Sequence, residues 1–394
     1  MLSVDEALSL VLDNSATLGS EAIGVDRLVG RRLAADVVAR LTQPPFAASA
    51  MDGYAVRFTD AKTGARLQVV AESAAGAPSK AELQGGQAVR IFTGSVVPSG
   101  ADHVVIQEDV SQNGDEIVLE RMQQSRRNIR DAGIDFSAGD ILAKAGEVCH
   151  AMHGSIFAAA NIAKVDVLRR PKVALFSNGN ELKDPGENLA PGEIINSSFY
   201  AIASLIEHWG GSVEYIGCAE DTLSDVQAFF ERSKGADIIV PIGGASVGDY
   251  DFVNDAFSAA GGVSIFKKIA MRPGKPTWYG TLGAAQVLGL PGNPASSIVA
   301  AALLLKPLIY KLGGDDSKES LIDATLTTPI AGNGHREAFM RARGTSSNGE
   351  WVVNPIANQD SSLLLPFASA NALIRRPPND PARDRGNRVQ MIFI

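Results

Sequence analysis

Thiols are scarce in this chain: Cys149 and Cys218, far apart in sequence, are the two cysteines among 394 residues. That excludes a disulfide-stapled scaffold, and both side chains read as small buried thiols in a reducing compartment. The run Cys149-His150-Ala151-Met152-His153 offers three metal-ligand side chains, but at no spacing that zinc sites use. Positive charge is short as well. With 36 Lys and Arg against 44 Asp and Glu, the net charge of −8 excludes the basic face that broad nucleic-acid binding needs. Long hydrophobic runs are missing: the most apolar stretch, 298–305, is too short for a bilayer and meets Lys306-Pro307. The first twenty residues carry Asp5, Glu6 and Asp13, so no secretory apolar segment is expected there. The expectation is a soluble, cytoplasmic protein with no membrane and no nucleic-acid partner. If its ligand is an anion, the positive charge must be gathered locally.

What is present is a globular balance, 45% hydrophobic and 20% charged, in a chain long enough for about two to four domains. Ser3-Val4-Asp5-Glu6 reads as a capping box opening a helix with Ala7, Leu8, Val11 and Leu12 on one face. The helical period fades from Val37, and Pro44-Pro45 marks a break. From about 46 to 139 short strand-like runs (67–70, 88–92, 103–107, 116–119) alternate with Gly, Ser, Asn and Pro turns, which predicts a β-rich lobe. The texture then changes. Runs 172–176, 213–218, 238–242, 264–270 and 286–290 read as strands. Helices are expected at 197–209 with Asn196 as N-cap, from Asp221 to about 233, and after Pro291-Gly292-Asn293-Pro294, ending near Gly313-Gly314. Strand, polar loop and helix in repetition predict an α/β domain with a mostly parallel sheet. Beyond about 315, strands at 338–343, 351–353, 372–376 and 388–394 predict a small terminal β-barrel or sandwich.

In an open α/β sheet, ligands bind off the carboxyl ends of the strands, where helix N-termini point inward. Three loops here take that position: 177–181 with Glu181, 243–251 with Gly243, Gly244, Ser246, Asp249 and Asp251, and 291–294 with Pro291 and Pro294. Glycines permit close backbone approach and carboxylates hold hard cations, so together they point to a phosphate-and-metal pocket. Between the second and third loops runs Phe266-Lys267-Lys268-Ile269-Ala270-Met271-Arg272-Pro273-Gly274-Lys275-Pro276. If 264–272 is one strand, Lys268 and Arg272 share a face, the obvious place for an anion in an acidic chain. A solvated basic edge strand is the plainer alternative. Ile269 stands where a Walker A loop needs its first glycine, and no G-x-G-x-x-G follows a strand, so a dinucleotide fold has no support. In the β-rich lobe, Asp52-Gly53, Thr93-Gly94 and Gly133-Ile134-Asp135 are compact acid- or hydroxyl-bearing turns, with Asp52-Gly53 readable as a plain hairpin turn.

The segments Ser49-Ala50-Met51-Asp52-Gly53-Tyr54-Ala55, Phe92-Thr93-Gly94, Gly243-Gly244-x-Ser246-x-Gly248, Pro273-Gly274-Lys275-Pro276 and Leu290-Pro291-Gly292-Asn293-Pro294 occur in that order. Over essentially its whole length the chain resembles the MoeA family, the molybdopterin molybdenumtransferases that include the E domain of gephyrin. The resemblance implies a multidomain α/β plus β fold. Its parts would be a linker and dimerisation region at 1–45 with 138–170, a β-rich lobe at 46–137, an α/β molybdopterin-binding domain at 171–315 and a C-terminal β-barrel at 316–394. It implies a homodimer whose cleft combines the α/β domain with the lobe of the other subunit. The implied reaction is Mg²⁺-dependent: molybdopterin-AMP and molybdate give the molybdenum cofactor and AMP. A molybdopterin adenylyltransferase is the implied supplier and partner.

Residue by residue, the resemblance gives Asp52, Thr93, Asp135, Glu181, Asp221, Lys268 and Lys275 to catalysis. It gives Gly243, Gly244, Ser246, Arg272, Pro291, Pro294, Arg341 and Ser361 to substrate binding, and Glu181, Asp249 and Asp251 to the metal. Two departures stand out: Asn180 replaces an acid frequent in the family, and Arg272 replaces a lysine, keeping charge but changing geometry. Competing readings are an adenylyltransferase, which would not need the lobe and barrel, a gephyrin-type dimeric scaffold, which would be free to lose these acids and bases, and a paralogue handling tungstate.

Overall fold

The computed structural model describes all residues except 122–124, 245–251, 316–320 and 348. It divides into two compact units, Met1–Glu21 with Leu168–Ile394, and Ala22–Val167.

In the first unit a six-stranded sheet runs in the order Ser212–Ala219, Lys172–Asn178, Ile238–Ile242, Ala285–Gly289, Trp278–Leu282, Val263–Phe266. The first four strands are parallel and the last two antiparallel. Residues 173–177 and 238–242 are buried without alternation, as expected for strands covered on both faces. Trp278–Leu282, unread in the sequence, is one of the antiparallel additions. Helix Ser197–His208 follows Asn196 as expected, and helix Leu223–Arg232 starts at Thr222, whose side chain accepts from the Asp225 amide.

The expected single strand over 264–272 is broken. Val263–Phe266 stays in the α/β sheet, and Met271–Arg272 joins a different sheet, pairing with Glu337–Ala338. The cause is burial at both inward positions: Ile269 and Met271 are fully buried, and Ala270 donates its amide to Leu2 O at 2.7 Å. Leaving the first sheet puts these apolar side chains into the core and frees the basic ones for the surface.

The helix after Pro294 ends where the sequence placed its end, before Gly313-Gly314. It continues through Lys306-Pro307 to Leu312, giving 19 residues of mean hydropathy 1.5. By length and composition it could cross a membrane, yet 78% of its most apolar window is buried inside the protein. Residues 301–305 form a wider π-type turn. Pro307 has no amide to donate back up the helix, and the ladder shifts there instead of ending. Helix Val4–Asp13, with its Ser3–Glu6 capping box, lays Val4, Ala7 and Val11 into the same core. This is why residues 1–21 cluster with the α/β sheet rather than with 22–45, with which the sequence grouped them.

The C-terminal strands close into a barrel. Glu337–Ser347 pairs with Glu350–Pro355 and with Ala372–Arg376; Arg388–Phe393 and Ile322–Leu326 complete the circle. The chain is therefore multidomain, with a mostly parallel α/β sheet and a closed terminal β-barrel.

The second unit holds a mixed six-stranded sheet in the order His103–Ile106, Gly53–Val56, Gln87–Ile91, Arg66–Ser73, Glu116–Leu119, Val110–Asn113. A separate apolar cluster, including Leu28, Leu33, Phe157 and Val167, packs around helix Ala151–Ala159. His150 and His153 cap that helix reciprocally: the Met152 amide donates to His150 Nδ1 at 3.3 Å, and the His150 amide to His153 Nδ1 at 3.0 Å. The Cys-His tract thus spends one nitrogen of each ring on backbone amides, and the Cys149 thiol is buried beside it.

Candidate active site

Four loops converge at the carboxyl end of the parallel strands. Asn178 Nδ2 donates to Ala219 O at 3.4 Å and Glu220 O at 3.2 Å, tying the first strand's end to the second's. Asn180 and Asp221 bond reciprocally, the Asp221 amide to Asn180 Oδ1 at 3.0 Å and the Asn180 amide to Asp221 Oδ2 at 3.3 Å. As a neutral amide, Asn180 meets Asp221 without the like-charge repulsion that a second carboxylate would bring. Gly243, at φ 96°, donates to Leu290 O at 3.0 Å; a Cβ there would lie 2.7 Å from Asn178 O. Only glycine lets these strand ends come so close. Pro294 begins the following helix, where a missing amide costs nothing.

Glu181 is exposed, and among the described residues no donor reaches its carboxylate. Cys218 registers the local negative charge: burial first, then Asp184, Glu181, Asp221 and Asp225, push its thiol up to about 11. Ser246, Asp249 and Asp251 lie outside the described residues, and no cluster of three or more metal-ligating side chains occurs among the described ones.

A second feature of this unit is a cavity of about 430 Å³ between the turn 272–276, the start of helix Pro294–Ala300 and the barrel. Arg272, Lys275 and Arg336 line it together with Ser296, Gln359 and Ser361, and no carboxylate does so among the described residues. The turn is held by Gly274 at φ 108°, whose carbonyl accepts from Thr277 N at 3.0 Å and Oγ1 at 2.7 Å. Ile269 N–H donates to Lys275 O at 3.1 Å, which puts Lys268 next to this turn but off the cavity wall. Ser361 is pinned to the helix start, its carbonyl accepting from Ala295 N–H at 3.0 Å.

Arg341 differs from its expected role. It is 2% exposed, and its guanidinium donates to the carbonyls of Leu363 and Asp360 at 2.8 Å and of Asn358 at 3.3 Å. Burial lowers its pKa, and the charge of Asp360 opposes that shift. Arg341 therefore shapes the loop that carries Ser361, and the third cation on the cavity wall, beside Arg272 and Lys275, is Arg336, which sequence reasoning missed. No local signal marked it, because Arg336 lies just before strand Glu337–Ser347, where the alternation of strand side chains does not apply.

In the second unit Asp52 precedes strand Gly53–Val56 rather than forming a hairpin turn. Its Oδ1 accepts from Thr93 N and Thr93 Oγ1, both at 2.8 Å. Those two bonds, the amide first, hold its carboxyl below the ordinary range, with a further contribution from the charge of Arg90. A Cβ at Gly53 would lie 1.9 Å from Val105 O, so the strand demands glycine there. Asp135 sits on another loop, its amide donating to Gln43 O at 3.1 Å, and among the described residues no bond joins it to Asp52.

Known proteins match this chain along its length. The MoeA N-terminal region (domain I and II) matches residues 2–161, a probable molybdopterin binding domain 174–311, and the MoeA C-terminal region (domain IV) 323–394. A molybdopterin molybdenumtransferase of Haemophilus influenzae is 33% identical over 95% of this chain and 94% of its own length. One from a Nostoc species is 39% identical over 93% of this chain and 86% of its own. A solved molybdopterin biosynthesis MoeA protein from Pyrococcus horikoshii superposes with a TM-score of 0.83 at 30% identity, covering 100% of this chain and 99% of that one. With strand-end loops, a basic cavity and full-length relatives of one kind, the chain belongs to the MoeA family of molybdenum cofactor biosynthesis enzymes, the molybdopterin molybdenumtransferases.

Proposed function

We propose that this chain inserts molybdenum into adenylylated molybdopterin, taking molybdopterin-AMP and molybdate and releasing the molybdenum cofactor and AMP. The observation that carries this reading is the cavity with Arg272, Lys275 and Arg336 and no carboxylate on its described walls, in a chain of net charge −8. Guanidinium, ammonium and hydroxyl groups hold an oxyanion by charge-assisted hydrogen bonds, and these would hold molybdate. The strand-end loops with Gly243, Gly244, Pro291 and Pro294 offer close backbone approach for the pterin's phosphates.

Mg²⁺ fits the donor chemistry at the same edge. Glu181 offers a carboxylate that no donor reaches among the described residues, and Asp221 keeps one oxygen clear of the Asn180 amide. With Asp249 and Asp251, which lie outside the described residues, Glu181 would hold the ion, an arrangement of few carboxylates plus substrate oxygens. When bound, the ion offsets charge on the pyrophosphate link.

The reading includes a homodimer. Val38 and Ile141 are cross-strand partners, 44% and 54% exposed, and Val29 and Val148 are 65% and 47% exposed on adjoining segments. Exposed apolar pairs of this kind suit a second copy of the chain. A reducing cytoplasm suits the free thiols Cys149 and Cys218, and an adenylyltransferase would supply the substrate. The test is incubation of the purified protein with molybdopterin-AMP, Mg²⁺ and molybdate, with AMP and reconstitution of an apo-molybdoenzyme measured together. Molybdate-dependent AMP release with active enzyme recovered supports insertion; no release from a folded dimer overturns it.

A further inference from the structure

Arg90 carries more contacts than a strand residue on a lobe surface needs. Its Nη1 donates to Gly53 O at 3.1 Å and its Nη2 to Gln107 Oε1 at 2.9 Å. Its guanidinium lies over two rings, 5.1 Å from the Tyr54 centroid and 4.8 Å from that of Phe92. Every one of these partners borders Asp52 or Thr93. Gly53 and Tyr54 follow Asp52 directly, Phe92 precedes Thr93, and Gln107 donates its own amide to Asp52 O at 3.1 Å. One planar cation therefore ties three chain segments, 52–54, 90–93 and 107, around the carboxylate that accepts both Thr93 donors.

We propose that Arg90 is a positioning residue for the insertion reaction: its fork and its stacking between Tyr54 and Phe92 fix the spacing of Asp52 and Thr93. The sheet backbone holds Gly53 beside Ile91 and Ile106, and the Arg90 fork adds the side-chain links that set the finer spacing of the Asp52 carboxylate and the Thr93 turn. Misplacement of a reacting or binding group by about 1 Å costs on the order of a hundredfold in rate. Lysine would keep charge over the rings but could not reach both oxygens in one plane. The inference rests on Asp52 serving the proposed reaction, so the experiment reads the clamp and the reaction separately.

The variants are Arg90→Met and Arg90→Lys in the full chain, compared by thermal melting, amide hydrogen exchange over 50–54 and 92–94, and the pH dependence of molybdate-dependent AMP release. Expected for Arg90→Met is a retained cooperative melt, at least tenfold faster exchange at Thr93, and about a hundredfold lower kcat/KM. Its activity should also fail at higher pH than the parent's, because Asp52 loses both a held Thr93 partner and a nearby positive charge. Arg90→Lys should recover only the part of the pH shift that comes from charge, while leaving exchange at Thr93 fast, a split that a general packing defect would not produce. Unchanged exchange and an unchanged pH profile in Arg90→Met overturn the proposal. Fast exchange with unchanged AMP release keeps the clamp and overturns the role of Asp52.

Discussion

Asp52 keeps its charge in the open, because Thr93 supplies both an amide and a hydroxyl to one of its oxygens. A depressed carboxyl contributes whatever stability it has above the ordinary carboxylate range and loses it as pH falls through the lowered value. In the proposed reaction this depression suits Asp52 to act as acceptor or base rather than as proton donor. Asp52→Ala should cut molybdate-dependent AMP release at least a hundredfold while leaving the melting transition close to the parent's, since the side chain is exposed; calorimetry beside the assay checks both. The cavity separates two arginines in the same way. Arg336→Ala and Lys275→Ala should each raise the molybdate concentration for half-maximal AMP release about tenfold, the effect of one charge-assisted hydrogen bond, with the fold unchanged. Arg341→Met should instead lose about 1–3 kcal/mol in urea unfolding, because three part-buried carbonyl partners lose their donor.

Elements were legible where local rules suffice. The Ser3–Glu6 box formed as spelled, with Ser3 N donating to Glu6 Oε2 at 2.8 Å and Glu6 N to Ser3 Oγ at 3.2 Å. Ser3→Ala should destabilise the first unit by about 1 kcal/mol at neutral pH. The backbone and hydroxyl bonds of Ser3 depress the Glu6 carboxyl, so this difference should shrink as pH falls through that lowered value; urea titrations at several pH values read it directly. Elements were misread where burial overrode the local pattern. Basic residues at 267, 268, 272 and 275 made 264–272 look like one strand, but the buried Ile269 and Met271 turn the chain into the barrel's sheet. The helix from Pro294 reaches its expected end near Gly313-Gly314, and it runs through Pro307 because Leu303, Leu304, Leu305 and Leu308 are buried together and outweigh one lost backbone bond.

At the scale of the molecule, the proposed dimer makes the sharpest claim. Val38→Asp with Ile141→Asp should leave the protein folded and monomeric by sedimentation, because both side chains are exposed partners on one strand pair. A dimer persisting in the double variant would move the contact elsewhere. Both residues lie in the unit Ala22–Val167, so urea unfolding of the α/β sheet and barrel should stay as in the parent.

The sequence by itself determined the family, the α/β order of strands and loops, the terminal barrel and most of the ionisable groups at the candidate site, because motif spacing, glycine demands and caps are local. Only the tertiary structure decided which of those groups meet. It paired Asp52 with Thr93 across 41 residues and Asn180 with Asp221 across another 41. It placed Arg336, not Arg341, on the cavity wall and buried Arg341 behind the Ser361 loop. The physical reason is the same each time. A long-range hydrogen bond or a buried cation is fixed by what the whole chain can exclude from water, and no window of neighbouring residues carries that information.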